Sequence, residues 1–185
     1  MTQTDLPILA DGDLRLRSPR LEDAEARLAL GVVPEIQHMF GINPDDCAPM
    51  TPVMANNWVT SRMNTPLCWV IDHENRMIGD AFFHTVDTRD RRASLALGIL
   101  DPNLLGQGLG TRVLHLLAYH AFGAMNLHRI ALRVIEYNER AIAAYKKVGF
   151  VVEGRERQSA RVGNTWHDDI IMGLLAPQYH AAAST

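Results

Sequence analysis

The sequence predicts a mixed α/β (α+β) fold, with a central twisted, mostly antiparallel sheet of about seven strands and helices on both faces. Three features carry this expectation. Apolar runs at 68–72, 77–85 and 92–100 follow one another with only polar turns between them, which implies an antiparallel meander. A glycine-rich segment at 101–110 then opens a long amphipathic helix. Beyond it, strand-like and helix-like segments continue to residue 175.

Along the chain, Asp13 to Ser18 alternates as a half-buried strand does. Pro19 stops it, and Leu21 to Leu30 begins acidic and carries apolar residues at helical spacing. Residues 41–52 hold Gly, Asn, three prolines and two aspartates and read as a loop. Pro52 to Met63 predicts a helix opened by its proline. Cys68–Asp72 and Met77–Thr85 flank a hairpin turn at His73–Arg76, and the turn Asp87–Arg91 leads into Arg92–Leu100. In the long helix Val113, Leu114, Leu117, Ala118, Ala121, Phe122 and Met125 recur three or four apart. Arg129–Ile135 is strand-like, Asn138–Lys147 is helical, and Gly149 ends that helix at a C′ position. Phe150–Gln158 and Asp168–Leu175 are the last strand candidates, with a turn between them in Arg161–Trp166. With no repeat or linker, residues 1–185 are expected to form a single domain.

Composition excludes several classes. Hydrophobic residues at 47% and charged residues at 21% are the balance of an ordinary globular protein. A net charge of −3 with no basic stripe argues against a nucleic-acid partner, and mildly against a strongly cationic one. No stretch approaches the ~18 apolar residues of a membrane span, and Met1 to Ala10 lacks the pattern of a signal peptide. Cys47 and Cys68 stand in no metal or redox spacing and suit a reducing, cytoplasmic setting. The histidines form no metal constellation. His115 and His120, five apart on a helix, diverge around it, so no metal is expected.

Two segments carry chemistry. Leu105-Gly106-Gln107-Gly108-Leu109-Gly110-Thr111 follows a strand and opens a helix. Glycines let a ligand approach the backbone, and the helix start offers unpaired N–H groups with a partial positive charge, which suits a phosphate or pyrophosphate. The same segment could be a turn that binds nothing. It is not a Walker loop, because Gly110 and not lysine precedes Thr111, and its G-x-G-x-G spacing is not the dinucleotide fingerprint. The second segment, Asn138 to Phe150, places Asn138, Tyr145, Lys147 and Gly149 along one helix. A tyrosine there is either a core side chain or a proton donor. Asn138 can cap the helix with its oxygen and leave its amide free to donate. Lys147 can meet phosphates or only solvent.

Together these segments resemble the GNAT superfamily of N-acetyltransferases, closest to its Rim type (ribosomal-protein-alanine or small-amine acetyltransferases). The signature (Arg/Gln)-x-x-Gly-x-(Gly/Ala) matches Leu105 through Gly110, with Gly108 and Gly110 in the fixed positions and Leu105 where Arg or Gln is usual. Asn138 to Phe150 matches the family's Asn-x-x-Ser/Ala-x-x-x-Tyr-x-Lys-x-Gly-Phe, with Ala141 where some Rim-type enzymes carry serine. The flanks 126–134 and 153–154 and the 163–172 segment also look Rim-type, although Gly163–Asp168 is one residue longer than the type.

The resemblance implies acetyl-coenzyme A as co-substrate and direct transfer of acetyl to a primary amine, of a protein N-terminus or a small molecule. It implies that the loop amides of 105–111 hold the pyrophosphate, that Asn138 bonds the pantetheine arm and that Lys147 lies near phosphates. Amides at Ile99 and Leu100 would polarise the thioester carbonyl, and Tyr145 would lie near the sulfur. A thiolate leaving group with pKa near ~8.5 takes a proton from a phenol of pKa about 10, so Tyr145 suits a general acid. The coenzyme-binding core would fall at about 92–150 and the acceptor side at about 19–65 and 158–168. Where many members carry a glutamate base, this chain has Ser94 and Arg133. Asp80, His84, Glu136 and Asp168 are the candidate substitutes, each also readable as structural, and water alone is the alternative. A homodimer is expected of the type, although no feature of the sequence demonstrates one. The rival expectation is a non-catalytic acyl-coenzyme-A-binding sensor or interaction protein.

Overall fold

A computed structural model describes residues 6–183, with side chains through Tyr179. Met1–Asp5, half of the segment judged unlike a signal peptide, lie outside the described residues. The strands are β1 (Leu9–Asp11), β2 (Leu14–Arg17), β3 (Cys68–His73), β4 (Arg76–Asp87), β5 (Arg92–Ile99), β6 (Arg129–Ile135), β7 (Val151–Val162) and β8 (Thr165–Leu175). The helices are α1 (Asp23–Leu30), α2 (Pro34–Met39), α3 (Pro52–Met63), α4 (Leu109–Phe122), α5 (Glu139–Val148) and α6 (Ala176–Ala183). The strands form one sheet in the order β1-β2-β3-β4-β5-β6-β8-β7. The expected seven strands are present. The eighth, β1, is a three-residue strand folded back on β2, with Asp11 opposite Leu14.

Strand alternation sends the sheet's side chains into two layers. Trp69, Ile71, Ala81, Phe83 and Leu95 join Val113, Leu114, Leu117 and Ala121 of α4 in the main core. The opposite face is tied to α1 and α3 by charge: Asp23 of α1 and Asp72 of β3 each lie 2.6 Å from Arg17 of β2. Arg62 of α3 lies 2.7 Å from Asp80 of β4. No helix of the described residues is long and apolar enough to cross a membrane.

The sheet's one parallel contact positions the site. β5 and β6 pair only at Arg92↔Arg129, Ala93↔Ile130 and Ser94↔Ala131. Past Ser94, β5 stays with β4 while β6 stays with β8, so the two part and leave a slot between them.

Candidate active site

The slot opens into two cavities with a common wall. One, of about 240 Å³, lies between the end of β5, the start of α4 and the face of α5. The other, of about 710 Å³, lies between the parted strands and the β7–β8 hairpin. Met39, Phe40, Leu97, Asn138, Ala141 and Tyr145 line both.

The first cavity is built on the glycine loop. Gly106 and Gly108 have φ of +77° and +82°, a left-handed backbone that disfavours any other residue. Gly108 is the N-cap of α4 and offers no side-chain cap, so the leading N–H groups of the helix have no side-chain partner. Gly110 needs no special φ, and a Cβ built there would meet nothing within 4 Å. Its missing side chain keeps open the space in front of the helix. The chain therefore presents a cradle of backbone donors, in keeping with a pyrophosphate group. Leu105, Gly106, Gly108, Leu109, Gly110 and Thr111 all line this cavity, as does Ile99. Gln107 does not: its side-chain amide turns back to the Asn103 carbonyl at 2.7 Å.

Leu100 also stays outside. Its N–H donates to the Ile78 carbonyl at 2.7 Å, so the expectation that this amide polarises a thioester is corrected. Successive amides along a strand point to opposite sides, so with Leu100 turned to β4 the N–H of Ile99 turns into the slot.

On α5, Asn138 is the N-cap and accepts from the Ala141 N–H at 3.2 Å. Its side-chain nitrogen is not free as expected, because it donates to the Met39 carbonyl at 3.1 Å, leaving one N–H unclaimed. Tyr137, alongside, donates to the His38 carbonyl at 2.7 Å and stacks on the His38 ring. These contacts fasten α2, which the sequence reading missed, over the slot. Replacing Asn138 by alanine removes both ties and is expected to cost about 1–2 kcal/mol, read as a lowered Tm.

Tyr145 is 9% exposed and packs edge-on against Phe150. Its hydroxyl has no hydrogen-bond partner among the described residues and faces the shared wall, unlike a core tyrosine tied to a carbonyl. Burial pushes the phenol up to about 12, so it remains a proton donor throughout the neutral range. Lys147 lines the first cavity with Arg140, seven residues earlier and on the same side of α5. The sequence reading missed Arg140, although that spacing marks it.

The candidate bases separate. Asp80 lines neither cavity; it is buried beneath α3, where desolvation raises its pKa against the opposing pull of Arg62. Glu136 and Asp168 are both held by Arg155, at 2.7 and 2.9 Å, and line neither cavity. His84 does line the second cavity. So does Asp169, which sequence reading passed over in favour of Asp168. Alternation marks it: Ile170, Met172 and Leu174 enter the core, so Asp169 and Ile171 face the opposite side. Asp169 is 6% exposed. Ser159 donates to its Oδ2 at 2.9 Å, and the Arg133 Nε lies 3.3 Å from the same oxygen. Its Oδ1 has no hydrogen-bond partner among the described residues. A bulge in β7 between Glu156 and Ala160, with Gln158 at φ +53°, brings Ser159 onto this carboxylate.

Comparison with known proteins agrees with this architecture. Residues 13–151 match the family model described as the acetyltransferase (GNAT) domain. Spermidine N(1)-acetyltransferase of Escherichia coli is 35% identical over 95 residues, 51% of this chain and 50% of that enzyme, so the match spans about half the relative's length. YdaF of Bacillus subtilis, named as a ribosomal N-acetyltransferase, is 25% identical over 90% of this chain and 92% of its own. Among solved structures, spermidine N-acetyltransferase from Vibrio cholerae in complex with CoA and spermine superposes with a TM-score of 0.76 at 21% identity, covering 92% of this chain and 99% of that one. At that identity the likeness is one of fold.

Proposed function

Since the chain belongs to the GNAT acetyltransferase family, we propose that it transfers acetyl from acetyl-coenzyme A directly to a primary amine, of a protein N-terminus or a small molecule. The observation that carries this reading is the pair of cavities meeting at Tyr145, one walled by the glycine loop and the other by polar side chains. In this reading the α4 amides hold the pyrophosphate, with Arg140 and Lys147 beside them. Asn138 and the parted strands take the pantetheine arm, and the Ile99 amide faces the thioester oxygen.

The amine enters from the second cavity. Its nitrogen bonds to the carbonyl carbon, the C–S bond breaks, and the sulfur takes a proton from Tyr145. The attacking nitrogen gives up a proton, for which Asp169 is the carboxylate acceptor on the cavity wall, directly or through water. The homodimer is drawn from the resemblance alone. The free thiols Cys47 and Cys68 and the use of acetyl-coenzyme A support a cytoplasmic setting.

The test is release of free thiol from acetyl-coenzyme A across a panel of N-terminal peptides, amino acids, amino sugars and spermidine, the last included because two relatives carry its name. Turnover with at least one class is expected. Coenzyme binding without turnover on any amine would leave the sensor reading in its place.

A further inference from the structure

The charged groups around the second cavity are unevenly matched. Its wall carries Arg133 and Arg161 against a single carboxylate, Asp169, with His84 and Tyr145 as the remaining titratable side chains. Arg133 is already committed, with its Nε 3.3 Å from Asp169 and its Nη1 3.5 Å from Glu156. Arg161 has no carboxylate partner among the described residues. Its Nη2 donates to Asn164 Oδ1 at 3.2 Å, and its guanidinium lies 6.0 Å from the centre of the Trp166 ring. Both contacts come from its own hairpin, the segment one residue longer than the type, so the side chain is held in place without being neutralised. The hairpin tip reaches across to the 41–51 loop, where a Cβ on Gly163 would lie 3.6 Å from Asn43.

A polyamine presents two or more ammonium groups and suits a cavity with several acids. Here a second ammonium would meet guanidinium groups, a like-charge pairing that disfavours binding. A molecule with one ammonium and one carboxylate fits the inventory instead. Asp169 offers Oδ1 to the first, and the planar fork of Arg161 offers paired donors to the second.

We propose that the preferred acceptor is an amine that also carries a carboxylate, with its ammonium on Asp169 and its carboxylate on Arg161. The proposal rests on the acetyl-transfer reading above and names its substrate class. The carboxylate can belong to a free amino acid or to an acidic side chain near a peptide N-terminus.

Two matched pairs separate these sources: glutamate against its α-amide, and peptides that differ only by Glu or Gln at the second residue. Acetyl-transfer kinetics are measured for each pair and for spermidine, with wild type, Arg161→Ala and Arg161→Lys. In one pair the carboxylate-bearing member should show a kcat/KM at least about tenfold higher, the scale of one hydrogen bond to a charged group. Arg161→Ala should bring that ratio close to one, and Arg161→Lys should retain part of it. Arg161 is exposed, and matching melting curves would establish that the variants fold. The pair that responds names the source. A ratio near one in both pairs with wild type, a ratio that survives Arg161→Ala, or spermidine as the best acceptor would overturn the proposal while leaving acetyl transfer intact. Failure of every amine would remove both readings.

Discussion

Tyr145→Phe should lower kcat by roughly 100-fold or more, the usual range for loss of a general acid, while affinity for coenzyme A changes by less than about threefold. The variant isolates one atom. The ring stays against Phe150, and the lost hydroxyl has no partner in the protein that would be left unsatisfied. Stability should therefore change by less than about 1 kcal/mol, because the penalty for deleting a hydroxyl comes mainly from stranding its partner. The pH profile gives a second readout. With the phenol pushed up to about 12 by burial, the donor form persists until the pH rises towards that value. Wild-type kcat/KM should accordingly climb with pH as the acceptor amine loses its proton, and should show no tyrosine limb below about pH 10. A Tyr145→Phe enzyme with wild-type kcat would remove the proton-donor role. A falling limb near pH 8–9 would mean that another group supplies the proton.

What the sequence showed and what it concealed divide along a physical line. The helix Pro52–Met63 was legible from its opening proline, and in the structure Pro52 occupies the first turn behind a Thr51 cap. The α5 boundaries followed from Asn138 and Gly149 in the same way. Such elements carry their start and stop signals in their own residues. By contrast α2 has six residues, too few to display a period, and it is held by Tyr137 and Asn138 from about a hundred residues away. Strand β1 is shorter still and exists by pairing with β2. The site divides similarly. The glycine loop and Tyr145 lie in contiguous motifs, whereas the acceptor wall is assembled from β4, β5, β6, the β7–β8 hairpin and the end of α2. Asp169 was within reach of strand alternation. Its contacts with Ser159 and Arg133 depend on a β-bulge and on the β6–β8 register, which spacing alone does not reveal.

The glycine loop supports the other large effect, at the position where folding and binding come apart. At Gly106 and Gly108 a side chain would strain the backbone, so a loss of binding there could be a loss of structure. Gly110 is different: its φ is ordinary, it lies in the first turn of α4, and an added Cβ meets no protein atom within 4 Å. Gly110→Val should leave the melting temperature unchanged or slightly raised, since valine is the better helix former of the two. The same side chain would stand in front of the uncapped N–H groups of α4 and displace a pyrophosphate from them. Losing two hydrogen bonds to charged oxygens, at about 1.5–3 kcal/mol each, predicts a coenzyme A Kd weaker by roughly 100-fold or more. Calorimetric titration beside thermal unfolding measures both quantities on one preparation. A normal Tm with a lost Kd is the signature of a cradle shaped for the ligand, because no contact within the folded chain requires glycine at this position. An unchanged Kd would mean that the coenzyme's phosphates lie elsewhere and that residues 105–111 serve only to turn the chain from β5 into α4.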